Sequence, residues 1–367
     1  MRLKTAGVVR AGMLACLAGI VAASRGRAAT LASQFENGRT WHVSAHAVTG
    51  GDGSEASPFG SVGDAVRAAS AGDTVRIGRG EYAAGVTAHE IGGQTTLSRV
   101  VVDKRLRLVG AGRDKTVIRG ASAEAPDADG CGAAAVRGIL FAEGADGSLV
   151  EGLTVAGGRT VAADLQQTTT DEAVWPFVTT ASGDKTRLAQ TGANLVARGG
   201  GMLFLGNAGA RICLVDVTVE DCRAGYAGGA LEGPFALVRT MVDRCRAGVQ
   251  QGGAVRGVLG AFSSLFVACG GKADQSFSLT DTVIGADLSR VVNFVNCTMA
   301  VNYGNGVNTK MLGDVNSPDY TGKVGFYNCV FFDASSMFRF VDNQGLSIWN
   351  SAMNANGSMP NGKRNIG

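Results

Sequence analysis

The chain lacks the usual marks of a catalytic or metal-binding sequence. Its three histidines, His42, His46 and His89, lie early, and none falls in H-E-x-x-H or beside a G-x-S-x-G elbow. No two cysteines form C-x-x-C, which removes the common zinc and redox templates. After the first apolar stretch, no run is long enough to cross a bilayer. A lasting excess of one charge is also missing. There are 34 basic and 31 acidic residues, but Arg2, Lys4 and Arg10 open the chain, and without them the count is 31 of each. A nucleic-acid partner, which needs a basic field, is therefore not expected.

Glycine is what the chain has in quantity: 55 of 367 residues, about twice the usual share. The glycines show no collagen period, and a hydrophobic content of 45% argues against disorder. Residues 199–269 read as one unit written three times. Gly200-Gly201-Met202, Gly228-Gly229-Ala230 and Gly252-Gly253-Ala254 open the copies. Each runs to an apolar residue, two variable residues and a cysteine: Val219 to Cys222, Val242 to Cys245, Phe266 to Cys269. Phe294 to Cys297 and Phe326 to Cys329 repeat the signature at wider spacing. A period in the twenties with short alternating strands signals a solenoid, whose core grows in one dimension. A leucine-rich repeat has a similar period, but the return arms here are too rich in glycine for helix. The stacked cysteines should be small buried hydrophobes rather than disulfides, since side chains pointing the same way are poorly placed to bridge.

The first 29 residues read as a secretory signal peptide, with a basic start and an apolar run from Ala11 to Ala23. Residues 30–98 should form a linker and an N-terminal cap. Within it Trp41-His42-Val43 is a strand, Ser61 to Ala71 a short amphipathic helix, and Val75-Arg76-Ile77 a strand ended by Gly80-Glu81-Tyr82. Residues 99–350 carry the coils. They are interrupted at 159–198 by a polar, Thr-rich insertion, and later coils accumulate asparagines such as Asn293, Asn296 and Asn328, suited to an internal amide ladder. Residues 351–367 form a polar tail.

Trp41 to Tyr82, above all Gly72-Asp73-Thr74-Val75-Arg76-Ile77-Gly78-Arg79-Gly80-Glu81-Tyr82, resembles the start of secreted right-handed parallel β-helix proteins of the pectin-lyase-like superfamily. The resemblance implies an all-β solenoid with a short capping helix that shields the core and the open strand edge. It carries the fold better than an activity. The Arg-x-Pro-x-x-Arg segment of pectate lyases is absent, as are the Asn-Thr-Asp, Asp-Asp and Gly-His-Gly motifs of polygalacturonases.

Lyase chemistry in that superfamily implies an Arg or Lys base with carboxylates that bind Ca²⁺. Two places offer such groups. The insertion has Asp171, Glu172, Lys185 and Arg187 around Trp175, an aromatic platform for a sugar. The regular coils have Arg239, with Glu220 stacked on Asp243 as candidate metal ligands. The simpler reading of the coil face is charge pairing between adjacent strands, with Asp216 on Arg239 and Asp221 on Arg244. The leading expectation is an exported, non-catalytic β-helix that contacts polysaccharide or a cell surface and requires no cofactor. It would reside outside the cell, on its surface or in the periplasm of a bacterium. The alternative is a polysaccharide lyase or hydrolase with a groove beside the insertion, for which a lyase would call on Ca²⁺.

Overall fold

A computed structural model describes residues 32–47, 50–120, 132, 134–162, 177–179, 185–187, 195–206, 210–248, 253–271, 277–278, 291–300, 323–332 and 346–353. The expected signal peptide lies outside them. The chain is a right-handed parallel β-helix. Among the described residues, a first sheet has ten strands, a second nine, a third seven and a fourth three. One coil visits the third, first, second and fourth sheets in turn, as Met202–Phe204, Ile212–Val215, Thr218–Glu220 and Arg223–Ala224 do. Within the coils each strand pairs in parallel with its counterpart one coil away.

Alternation within each short strand sends one column of side chains inward. In the first sheet Val75, Leu108, Val150, Leu214, Leu237, Ala261, Phe294 and Phe326 stack in register and are buried. The second sheet faces them with Ile118, Val155, Val219, Val242, Phe266, Met299 and Phe331. Two ring clusters fill the wider parts of the core. Phe141, Phe204 and Phe235 meet at centroid distances of 6.1–6.4 Å, and Phe294 stacks on Phe326 at 5.0 Å. Each such side chain contributes about 2 kcal/mol by leaving water.

The corners explain the repeated wording. From Ile212–Val215 onward, each first-sheet strand is followed by one left-handed residue: Asp216, Arg239, Ser263, Asn296, Asn328 and Asn350, with φ between 46 and 54°. After the second sheet Asp221, Arg244 and Ala268 do the same. At each of these corners except Asp216, which Val217 follows, the next residue is a cysteine, serine or threonine. Its thiol or hydroxyl donates to the carbonyl two residues back, as in Cys222 to Glu220 (3.2 Å), Ser264 to Phe262 (3.0 Å) and Cys297 to Val295 (3.4 Å). This bond helps offset the roughly 1–2 kcal/mol that a side chain costs in the left-handed region.

Two sequence expectations shift accordingly. Cys222, Cys245 and Cys269 close the second sheet, whereas Cys297 and Cys329 follow strands of the first. The five cysteines therefore form two columns, because both corners of a coil use the same four-residue pattern. All five are buried and unbridged, as the stacking suggested. The first repeat also opens one residue earlier than read from sequence: Met202 pairs with Leu231, which places Gly199 (φ 63°) level with Gly228 (φ 64°). The glycines behind them meet at a corner that has no room for a Cβ. One added to Gly229 would lie 2.1 Å from the Gly253 carbonyl.

The cap shows why its motif reads as it does. The helix is Val62–Ala68, with the Ser61 hydroxyl accepting from Asp64 N–H at 3.4 Å. It ends three residues before the expected Ala71. Ala69 turns extended, and the Asp73 carboxylate accepts the Ser70 N–H at 2.8 Å. The same carboxylate accepts Arg39 N–H (2.8 Å) and the Trp41 indole N–H (2.9 Å). Burial opposes its charge, but these hydrogen bonds win and hold Asp73 below the ordinary carboxylate range. Gly80–Tyr82 does not end the preceding strand. It opens the second sheet, with Tyr82 buried. Nor is the stretch before Thr40 only a linker: Phe35, 3% exposed, packs across Leu149, Cys213 and Val215 on the outer face of the first sheet.

Candidate functional site

Ionisable groups gather in two regions of the middle coils. The first is the outer face around the second sheet. Glu220 pairs in register with Asp243 one coil on, a like-charge stack about 5 Å apart. Arg244 lies between the acids. It donates to both Asp221 oxygens (2.9 and 3.0 Å), comes within 3.7 Å of Glu220, and contacts Asp243. Arg239 is likewise held by both oxygens of Asp216, at 2.7 and 2.6 Å, with Arg113 at 3.8 Å from the same acid. Hydrogen bonds from Arg239 hold Asp216 below the ordinary carboxylate range, and those from Arg244 do so for Asp221. Burial pushes Asp243 the other way. The candidates Arg239, Glu220 and Asp243 thus sit in one pattern of charges, each answered by a neighbour. Among the described residues no group of three or more metal-ligating side chains occurs.

The second region lies where the insertion leaves and rejoins the coil. Thr160 donates to the Ala197 carbonyl (3.1 Å) and accepts the Gly225 N–H (2.8 Å), so the two ends of the insertion are pinned together. The returning chain lies on the outer face of the third sheet, where Leu195 and Val196 pack with Ile91, Leu140, Leu203 and Leu205. Arg137, fully buried, donates to the carbonyls of Val196 (2.9 Å), Arg198 (2.8 Å) and Gly199 (2.8 Å), and to the Thr96 hydroxyl (2.9 Å). Burial lowers its pKa, and this set of acceptors offsets the cost. Beside it Glu232, with 0% exposure, lies 3.7 Å from Arg198 and 3.5 Å from Arg256, and Arg198 covers the Tyr226 ring at 4.7 Å.

Sequence reading missed this cluster, although a signal was present. Gly228-Gly229-Ala230-Leu231-Glu232-Gly233 and Gly252-Gly253-Ala254-Val255-Arg256-Gly257 align to place Glu232 against Arg256, as the strands do. The contacts fasten the insertion to the rod. With Arg137 and Glu232 removed from solvent, they do not line an open cleft.

In the insertion, Phe177–Thr179 and Lys185–Arg187 form an antiparallel pair in which Phe177 faces Arg187 and Thr179 faces Lys185 in register. Asp171, Glu172 and Trp175 lie outside the described residues. A separate cavity of about 610 Å³ borders the cap, beside Phe59, Ser61, Asp64 and Arg67, where Asp64 and Arg67 form an ion pair.

No family model matches the sequence, and no curated protein matches it. Solved structures do. The chain is similar to pectin methylesterase PemA from Erwinia chrysanthemi, at 15% identity over 88% of this chain and 92% of that one, with a TM-score of 0.40. It is similar to pectate lyase Pel9A at 14% identity over 89% and 78%, with a TM-score of 0.48. A rhamnogalacturonan lyase matches at 14% over 86% and 75%, with a TM-score of 0.43. These neighbours have pectin-lyase-like parallel β-helix folds. At such identities the likeness concerns the course of the chain alone, and the fold assignment rests on the strand register described above. No helix among the described residues is long and apolar enough to cross a membrane.

Proposed function

We propose that the chain is an exported, non-catalytic β-helix that contacts polysaccharide or a cell surface, needs no cofactor, and works outside the cell or in the periplasm. The observation that carries this reading is the closure of the coil-face charges. Arg239 is committed to Asp216, and Arg244 to Asp221, Glu220 and Asp243. A base already held by two carboxylate hydrogen bonds is poorly placed to take a substrate proton. The other cluster, at Arg137 and Glu232, is withdrawn beneath the insertion's return.

The test uses the chain from Thr30 onward, incubated with uronate polysaccharides in Ca²⁺ or in chelator. The readout is the ultraviolet absorbance of unsaturated product, with reducing ends measured in parallel for hydrolysis. No product by either assay, together with retention on immobilised polysaccharide, is the expected result. A Ca²⁺-dependent rise in absorbance would sink the non-catalytic reading, and substitutions at Lys185, Arg187 and Arg239 would then locate the base.

A further inference from the structure

The outer face of the first sheet changes character along the rod. Residues Val238, Phe262, Val295, Tyr327 and Trp349 occupy one outward column, each one strand beyond the last in parallel register. Three of the last four are aromatic. Phe262, Tyr327 and Trp349 are partly exposed, while Val295 between them is buried. Strand spacing sets Phe262 about 10 Å from Tyr327 along the rod, and Tyr327 about 5 Å from Trp349.

In the neighbouring outward column Asn293 stands between Gly260 and Gly325, and the glycine at 325 decides how the Tyr327 ring lies. A Cβ added to Gly325 would fall 2.3 Å from Cε2 and 2.8 Å from Cζ of Tyr327. The tyrosine ring therefore lies down over its own strand, in the space that any other residue at 325 would fill. A ring laid on the sheet offers a broad face instead of an edge. Along one border of the column runs a row of amides, in which Asn328 donates to Asn296 at 2.7 Å and Asn350 donates to Asn328 at 3.2 Å. These amides are exposed or partly exposed.

We infer that this strip binds an uncharged polysaccharide chain laid along the rod axis, its sugar rings on the faces of Phe262, Tyr327 and Trp349 and its hydroxyls against the asparagine row. Flat apolar faces beside neutral hydrogen-bonding groups match a pyranose, which presents C–H bonds on its face and hydroxyls at its edge. Charge decides the ligand class. Among the described residues, neither outward column of the strip from Gly260 onward has an ionisable group other than the tyrosine phenol, whereas the outer faces of the earlier coils carry acid–guanidinium pairs such as Arg107–Glu151, Asp216–Arg239 and Asp221–Arg244. Among the described residues of these two columns, an acidic polysaccharide would find no counter-charge. The inference rests on the carbohydrate-contact reading above and gives it a surface.

The experiment is affinity electrophoresis and titration calorimetry of the chain from Thr30 onward. Hydroxyethylcellulose, mixed-linkage β-glucan and galactomannan are the neutral probes, and polygalacturonate is the acidic one. Retention by at least one neutral probe is expected. Trp349→Ala and Tyr327→Leu should each weaken it at least tenfold, while Trp349→Phe and Arg239→Ala leave it within about twofold. Far-ultraviolet circular dichroism and melting temperature certify that each variant is folded. Tyr327→Leu keeps an apolar cover over Gly325, so a loss of binding there reports the ring face. Neutral binding unchanged in folded Trp349→Ala and Tyr327→Leu would overturn the strip, as would retention by polygalacturonate alone. Either result leaves the carbohydrate-contact reading standing. Retention by none of the four polysaccharides would overturn both.

Discussion

The middle coils and the later coils solve the same corner in opposite ways. Both turn from the first to the second sheet on a left-handed residue with an exposed or partly exposed side chain. In the middle the corner residues are Asp216 and Arg239, joined by two hydrogen bonds. Later they are Asn296, Asn328 and Asn350, joined amide to amide. An ion-paired column must alternate in sign, so its next member differs from the last. An amide is donor and acceptor at once, so the same residue can recur without limit. The ion-paired corner column therefore answers to pH and salt, and the amide column does not. This contrast separates a charged face from a neutral one on a single rod.

The comparison can be broken most forcefully at Arg137. Arg137→Met strands the carbonyls that hold the insertion's return and should cost about 1–3 kcal/mol for each acceptor left unsatisfied. The loss should be local, with Cys222 labelled by a thiol reagent well before Cys329. Equal labelling rates would mean that the two regions open as one unit. Gly229→Ala strikes the middle coils through shape. Its Cβ meets the Gly253 carbonyl, and about 2–3 kcal/mol should be lost in urea unfolding. Asn328→Ala breaks the amide column at its centre, losing two hydrogen bonds and placing alanine in the left-handed region, for roughly 1–2 kcal/mol. Asn328→Gly should recover part of that loss, because glycine relieves the backbone term alone.

The smallest effect is acid. Asp216 and Asp221 have pKa values depressed below 3.8, so their contribution is full above that value and fades as pH falls through the lower folded values. The pairs are partly exposed, so each is worth at most about 1 kcal/mol and weakens in high salt. Labelling with a dithiodipyridine, which reacts with thiols in acid, should accelerate at Cys222 relative to free cysteine at the same pH, while the same ratio at Cys329 holds steady. The same acid response at both cysteines would erase the distinction.

Much of this was readable in residues. The strand-and-corner pattern is written out in Val219 to Cys222 and its copies, because every coil must put an apolar residue and a small one in the same inward places. The phase of Cys297 and Cys329 was not readable, since two corners of one coil share that pattern and only pairing tells them apart. The amide ladder was foreseen, but it runs on the outside, where a left-handed corner projects its side chain. Tyr327 and Trp349 escaped notice because the later copies are 28 and 32 residues apart, and register across such gaps is fixed by the sheet rather than by the spacing. Glu232 hid as a polar residue on an outward position, where charge is ordinarily solvated. The insertion's return covers it.

The unbridged cysteines give the rod a ruler of its own. Cys222, Cys245 and Cys269 mark three successive coils at one corner, and Cys297 and Cys329 mark two more at another. Burial raises the pKa of Cys222 and Cys245 well above the ordinary thiol value, so in the closed coil they are chemically silent. Each thiol speaks only when its own coil opens. In a structure where every coil touches only its neighbours, the order in which these thiols react would trace the direction of fraying along the chain.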